Sequence, residues 1–241
     1  VILADIDGGN LHNAIAREAR ATAGVPSAFK ENVSVWLNVL QADLSAELAK
    51  VDKNVSISVN SAEKPAYCID AVTGNALLNA LYAMPHGVIG MSLEIAGLVE
   101  TSTNLASVKM AGNDTIRVTT SQRSSTESLK TDVANTVKAI FLQAKAEVCA
   151  TEGYPGWKPN SDSAVLKISK EIFEKLFAEK PKVIAIHAGL ECGLFFDKNP
   201  KLDIISCGPT ILGAHSPDER LEIATVEKWW KFLVELLKAA Y

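Results

Sequence analysis

Apolar residues between positions 1 and 148 follow two repeats, of about two and about 3.6 residues, which are the periods of strands and helices. The clearest alternation is Val55-Ser56-Ile57-Ser58-Val59, which predicts a strand with one solvated face. The predicted strands of this region are residues 2–6, 19–25, 55–59, 100–110 and 115–123. The predicted helices are residues 27–48, 71–84 and 124–148.

Turn and capping signals separate these elements. Gly8-Gly9-Asn10 divides the first two strands, and Ala111-Gly112-Asn113-Asp114 joins the last two as a hairpin. Ser27 can cap the first helix, Pro85-His86-Gly87 ends the second, and Ser124-x-x-Glu127 is a capping box for the third. The apolar stripe predicted for the first helix is Phe29, Val33, Trp36, Leu40, Leu44 and Leu48. Antiparallel strands with helices over one face indicate an α+β domain.

The composition changes at residues 153–160, Gly-Tyr-Pro-Gly-Trp-Lys-Pro-Asn, which predicts a linker. We therefore expect two domains, residues 1–149 and 150–241. In the second, helices are predicted around Val165–Leu176 and Val226–Leu237, with strands at 183–186 and 202–206. Both strands are almost wholly apolar, as in a sheet covered on both faces, so they indicate part of a larger α/β domain.

The composition of the chain argues against two classes of binding partner, nucleic acids and anionic membranes. The 241 residues are 48% apolar and 22% charged, with a net charge of −4, which gives no attraction for nucleic acid or an anionic membrane. No apolar run approaches the roughly 18 residues of a membrane-spanning helix, and no leader peptide is visible. The four cysteines form no C-x-x-C pair, which favours free thiols in a reducing cytoplasm.

Two loops carry candidate chemistry. His215 lies in a Gly- and Pro-rich loop after an apolar run, where an imidazole can be a metal ligand or a surface side chain. The loop from His187 to Gly193 follows another apolar run and offers Glu191 to a pocket, or is only a tight turn. A nucleophilic pair of Cys192 with His187 is conceivable, although nothing in the sequence marks Cys192 as activated.

Polar residues of the first domain are weaker candidates. Arg123 ends an alternating strand and could bind a carboxylate with two hydrogen bonds, while Asn13 follows the Gly-Gly turn. Either one taken alone is more simply a solvated turn residue. Asp5-Ile6-Asp7-Gly8 is similar to the opening motif of haloacid-dehalogenase-type phosphatases. That fold needs a doubly wound sheet directly after the motif, whereas a hairpin and a long helix are predicted here.

Five stretches together resemble the aminoacyl-histidine dipeptidases, which belong to the superfamily of zinc aminopeptidases and carboxypeptidases with two metal ions. The stretches are residues 8–19, 99–104, 153–157, 187–193 and 208–219. They occur in family order along the whole chain, which makes the resemblance more specific than any single motif. His12 and Ala16 depart from the family, where Arg and Pro are common, but neither change removes a proposed functional group.

The resemblance implies a lid domain that mediates dimerisation, followed by the C-terminal part of an α/β catalytic domain. It implies that His215 is a zinc ligand and that Asn13 and Arg123 bind the substrate's carboxylate or the oxyanion. It places Glu191 near the substrate's amino end. It also implies two zinc ions, a homodimer paired through the lid, and a dipeptide of the Xaa-His type as substrate.

The family's remaining ligands and its general base are expected upstream, because the chain has no His-x-Asp and no Glu-Glu pair. The chain thus resembles about the second half of such an enzyme, and we expect it to be inactive alone and to bind zinc weakly. The alternative is a module that serves only dimerisation. A phosphatase is the least favoured interpretation.

Overall fold

The computed structural model describes residues 1–93, 95–112, 114–151, 153, 155–157, 160, 162–184, 191–214 and 218–239. The chain forms two compact units. The first comprises Val1–Gly87, Thr103–Ser121 and Ala134–Cys149, and the second comprises Val88–Ser102, Gln122–Val133 and Ala150–Tyr241. The chain passes from the first unit to the second for the last time after Cys149, and the second unit also takes two earlier segments.

Strands and helices alternate irregularly along the chain. The strands are β1 (Ile2–Gly9), β2 (Ala19–Gly24), β3 (Gly87–Met91), β4 (Val99–Met110), β5 (Ile116–Ser124), β6 (Ile211–Leu212) and β7 (Arg220–Leu221). A 3-10 turn, Ser27–Phe29, precedes the first helix. The helices are α1 (Lys30–Glu47), α2 (Ala71–Ala83), α3 (Glu127–Gln143), α4 (Ala164–Phe177), α5 (Glu191–Lys198) and α6 (Ile223–Ala239). Within the described residues, no helix is both long enough and apolar enough to cross a bilayer.

A five-stranded sheet has the order β2-β1-β4-β3, with β5 also paired to β4, while β6 and β7 form a separate two-stranded sheet. β1 is antiparallel to β2, from Ile2 opposite Gly24 to Gly8 opposite Ala19, with an irregularity between Leu3 and Asp5. β1 is also antiparallel to β4, and Asp7 lies opposite Lys109 and forms an ion pair with it. These antiparallel neighbours are not the doubly wound sheet that a dehalogenase-type phosphatase requires.

The core of the first unit lies between α2 and α3. Ala80, Met84, Val137 and Phe141 form its buried centre. The Asp70 carboxylate caps α2 by accepting the backbone N–H groups of Val72 and Thr73, both at 3.0 Å. The third predicted helix was extended too far, because α3 ends at Gln143.

The apolar face of α1 differs from the predicted stripe. The half-buried apolar residues are Val33, Leu37, Leu40, Leu44 and Leu48. The Trp36 side chain is 64% exposed, and Phe29, in the preceding 3-10 turn, is 58% exposed. Spacings of three and four residues connect Leu37 to its neighbours on this face, and Trp36 lies about 100° away around the helix. The prediction was wrong because it placed the larger aromatic residue in the stripe.

Three predicted strands form no ladder within the described residues. Residues 55–59, the described part of 183–186 and residues 202–206 are all without strand pairing. Val183 and Ile184 are 53% and 65% exposed, which is unusual for residues predicted to lie in a sheet covered on both faces. A strand is recognised by its hydrogen bonds to a partner strand. Among the described residues, neither the segment at 183–184 nor the segment at 202–206 has such a partner.

Candidate functional site

The Asn13 side chain is exposed on a tight turn that follows β1. The turn is closed by a hydrogen bond from the Ala14 N–H to the Leu11 carbonyl, at 3.2 Å. The Asn104 side-chain amide donates to the Ala14 carbonyl at 2.8 Å and to the His12 carbonyl at 3.5 Å. It therefore holds the carbonyl groups on both sides of Asn13 and fixes how that residue is presented.

Gly9 sets where this turn begins. Its φ is +65°, in the region that favours glycine, and a Cβ atom there would lie 1.9 Å from the Ala106 carbonyl oxygen. Only a residue without a side chain allows the end of β1 to approach β4 so closely. The Gly-Gly pair, predicted as a turn, therefore lies within β1 and the turn follows it.

Asn104 was not among the candidates drawn from the sequence, although it ends one of the five matching stretches. Its Oδ1 atom is buried and accepts no hydrogen bond within the part of the chain that the structure describes. A buried polar atom without a partner is unfavourable for folding. The signal available in the sequence was a short polar amide in the middle of a strand, where such residues are uncommon.

Arg123 is half-buried at the penultimate position of β5. The next residue, Ser124, is buried, and its hydroxyl pairs with that of Thr101 at 2.9 Å. The Ser125 N–H donates to the Glu100 carbonyl at 3.2 Å. The two residues that directly follow Arg123 are thus anchored. The Ser124 hydroxyl accepts the Thr126 N–H at 3.0 Å and does not form the capping box predicted for it with Glu127.

Two glycines of the second unit, Gly156 and Gly193, allow close backbone contacts near the end of β5. Each belongs to one of the five stretches that carry the family resemblance. A Cβ atom on Gly156 would lie 2.7 Å from the Ser124 carbonyl oxygen, and one on Gly193 would lie 2.6 Å from the Pro155 carbonyl oxygen. The backbone of residues 155–157 therefore passes between the end of β5 and the first turn of α5. The end of β5, residues 155–157 and the start of α5 therefore lie side by side in the second unit.

Glu191 begins α5 and is exposed. Its neighbour Cys192 is half-buried, and burial raises the pKa of the Cys192 thiol. A raised pKa keeps the thiol protonated at neutral pH, which argues against the nucleophilic pair considered for Cys192. The other member of that pair, His187, lies outside the described residues.

His215, the candidate zinc ligand, also lies outside the described residues. Across the ranges that the structure describes, no three His, Cys, Asp or Glu side chains lie close enough together to hold a metal ion. The described part of the chain therefore does not fit a zinc ion by itself, since protein sites supply three or four such ligands.

A cavity of about 540 Å³ lies in the second unit beside the unpaired apolar segments. α4 and α6 form one wall, and the segments around Val183 and Ile205 form another. Lys228 spans the helices, with its ammonium group 4.7 Å from the Phe177 ring and 2.9 Å from a Glu179 carboxylate oxygen. Among the described residues that line the cavity, most of the exposed surface is apolar and none is a candidate site residue.

The fold is mixed α/β, and two of its polar candidates lie on anchored backbone, Asn13 on a turn and Arg123 near the end of a strand. A model of peptidase family M20/M25/M40 matches residues 20–239. The chain belongs to that family.

Two relatives give more detail. The chain is 38% identical over 236 residues to the cytosol non-specific dipeptidase of Escherichia coli strain K12, which covers 98% of this chain and 48% of that protein. The crystal structure of aminoacylhistidine dipeptidase from Vibrio alginolyticus matches 99% of the chain with a TM-score of 0.86 and 35% identity. That match covers 48% of the Vibrio chain, so this chain spans about half the length of both relatives.

Proposed function

We propose that this chain is the substrate-positioning half of a metallodipeptidase. The observation that carries the proposal is the anchoring of Asn13 by Asn104 and of Arg123 by its neighbours, in a chain whose described residues hold no metal site. Each of these anchored polar side chains suits the binding of a small charged substrate. We expect no independent hydrolysis, because the sequence has no His-x-Asp and no Glu-Glu pair to supply further metal ligands and a general base.

Each candidate has a role that its chemistry permits. The Arg123 guanidinium presents paired N–H donors to the carboxylate of a dipeptide, and its half-buried position strengthens that contact. The Asn13 amide donates to a carboxylate or to a developing oxyanion. Glu191, as an exposed carboxylate, attracts the substrate's ammonium group. The names of the two relatives support dipeptides as the substrate class, and that of the Vibrio protein supports Xaa-His dipeptides in particular.

We assign His215 as one zinc ligand, with the other ligands supplied by sequence that corresponds to the unmatched half of the relatives. Sequence resemblance alone supports this assignment, since His215 lies outside the described residues. A lone imidazole binds zinc weakly, so the isolated chain should take up little metal. A cytoplasmic location is proposed on the four free cysteines and on the name of the Escherichia coli relative.

The test compares the purified chain with the same chain produced together with the unmatched half of the Escherichia coli dipeptidase. We expect no hydrolysis of Xaa-His or other dipeptides by the chain alone, and hydrolysis by the pair. Arg123→Ala should raise KM of the pair, whereas Arg117→Ala, on the same strand, should not. Dipeptide hydrolysis by the chain alone would overturn the proposal, as would an unchanged KM for Arg123→Ala.

We propose secondly that the first domain serves as a lid through which two copies dimerise. Exposed apolar side chains on α1 support this: Val35, Trp36 and Val39 are 63%, 64% and 55% exposed. Surface patches of this kind often mark contacts with other proteins. Sedimentation equilibrium of the 241-residue chain tests the proposal, and a monomer at every concentration would contradict it.

A further inference from the structure

Residues 54–60, in the first unit, form an extended segment with one occupied and one open edge. The Gln41 side chain on α1 donates from Nε2 to the Val55 carbonyl at 3.0 Å, and its Oε1 accepts the N–H of Ile57. A glutamine amide thus takes the place of a peptide group on a neighbouring strand. Val55 and Ile57 are half-buried, while Ser56 and Ser58 are exposed, as strand alternation requires.

The Gln41 contacts identify which backbone groups are still available. In an extended chain, the N–H and C=O groups of alternate residues point to opposite edges. Because Val55 and Ile57 face Gln41, the backbone groups of Ser56 and Ser58 face the other edge. Within the residues that the structure describes, those two serines have no hydrogen-bonding partner.

The sequence of this segment reads the same in both directions: Asn54-Val55-Ser56-Ile57-Ser58-Val59-Asn60. When such a segment pairs antiparallel with a copy of itself about Ile57, every residue lies opposite one of its own type. Val55 faces Val59, and Ser56 faces Ser58. The segment contains no charged residue and no proline, so it lacks the devices that usually prevent edge pairing.

We propose that residues 54–60 pair antiparallel with the same residues of a second copy, with the twofold axis at Ile57. This inference rests on the proposed dimerisation of the first domain and specifies its register. The open edge and the palindrome lead independently to the same register. The backbone of Ile57 points towards Gln41, so the two Ile57 residues form a non-hydrogen-bonded pair across the axis. Ser56 of each copy forms hydrogen bonds with Ser58 of the other copy. The exposed Val59 is then covered by Val55 of the other copy.

Disulfide cross-linking tests the register in the full chain. The background carries Cys68→Ser, Cys149→Ser, Cys192→Ala and Cys207→Ser, which removes the native thiols. Ile57→Cys should give a covalent dimer on mild oxidation, since non-hydrogen-bonded partners have Cα atoms about 4.5 Å apart. A mixture of Val55→Cys and Val59→Cys chains should cross-link to each other. Chains that carry only Val55→Cys, or only Val59→Cys, should not cross-link, because the two copies of the same residue would lie roughly 14 Å apart along the paired strands.

Sedimentation of Ser58→Pro, compared with Ser58→Ala, tests the hydrogen bonds. Proline removes the N–H that would be donated to Ser56 of the other copy, so the dissociation constant of the dimer should rise at least about tenfold. Alanine keeps that N–H, and its dimer should be unchanged. The cross-linking experiment remains decisive if the proline variant does not fold.

The outcomes separate the two proposals. A monomeric parent chain would overturn both. A dimer that resists Ser58→Pro and shows no cross-link at position 57 would overturn only the proposed register. Cross-linking of position 55 to itself rather than to position 59 would indicate a parallel or shifted contact, which also overturns it.

Discussion

The carboxylate of Asp203 accepts the backbone N–H of Val165 through Oδ2, at 3.0 Å. Val165 lies in the first turn of α4, and Asp203 belongs to one of the two unpaired apolar segments. A segment that was predicted as a strand is therefore held by a side chain at a helix N-terminus, where the exposed N–H groups favour a carboxylate.

The contact of Asp203 predicts a pH dependence of stability. The Ser163 hydroxyl first, and then the Val165 N–H, hold the pKa of Asp203 below its usual value of 3.8. Because the folded pKa is depressed, the stabilisation is present above the unfolded pKa and is lost as pH falls through the folded one. Asp203→Asn should therefore lower the melting temperature at neutral pH and make less difference in strong acid. Equal effects at both pH values, measured by circular dichroism, would contradict this.

Ser163 is 3% exposed, and its Oγ accepts the Leu166 N–H at 3.0 Å, so it is the N-cap of α4. Ser163→Ala should lower the free energy of unfolding by about 0.5–2 kcal/mol. Urea denaturation of the single variants and of the double variant with Asp203→Asn would measure their coupling. Purely additive effects would show that the two side chains act independently.

Phe141 lies at the centre of the first unit's core with 8% of its surface exposed. Phe141→Ala should cost about 3–5 kcal/mol of unfolding free energy, because it removes a large buried side chain and leaves a cavity. Leu142→Ala is a matched control on the same helix, since Leu142 is 52% exposed. Similar losses for both variants in urea denaturation would be inconsistent with this core.

Gly9→Ala should destabilise the chain by more than about 1 kcal/mol, because its positive φ and the nearby Ala106 carbonyl leave no place for a Cβ atom. Gly24→Ala is the comparison. Its Cβ atom would lie 3.8 Å from the Ile2 carbonyl oxygen, which is an ordinary contact. Thermal melts in which Gly24→Ala is the more harmful change would contradict the structure at β1.

Asn104→Ala should release the turn that carries Asn13. The backbone carbonyls of His12 and Ala14 lose their shared donor, so amide exchange at residues 11–14 should speed up. Hydrogen exchange with mass spectrometry would detect this, with residues 127–143 as the internal reference. In the enzyme formed together with the unmatched half of the Escherichia coli dipeptidase, we expect Asn104→Ala to raise KM. Asn104→Gln should also raise KM, because the longer side chain displaces both N–H donors of the amide.

The sequence by itself determined the family and most elements of the first domain. The hairpin signal between β4 and β5 is local, and the Asp70 cap of α2 needs only the chain around it. The two caps predicted from the sequence were wrong, because Ser27 lies inside the 3-10 turn before α1 and Ser124 caps no helix with Glu127. The five stretches in order also identified the family correctly, because the spacing of their residues is a property of the chain alone. The assignments of Asn13, Arg123, Glu191 and His215 remain predictions.

The tertiary structure decided what depends on partners distant in sequence. It placed Leu37 rather than Trp36 on the inner face of α1. Among the described residues, the apolar segments at 183–184 and 202–206 form no ladder, since pairing requires a second strand. The tertiary structure revealed Asn104 beneath Asn13, a contact across 90 residues. It also gave the alternating segment at 55–59 a side chain, Gln41, as its neighbour in place of a strand. The spacing of apolar residues indicates which face of a helix or strand is apolar, whereas tertiary packing determines which residues that face contacts.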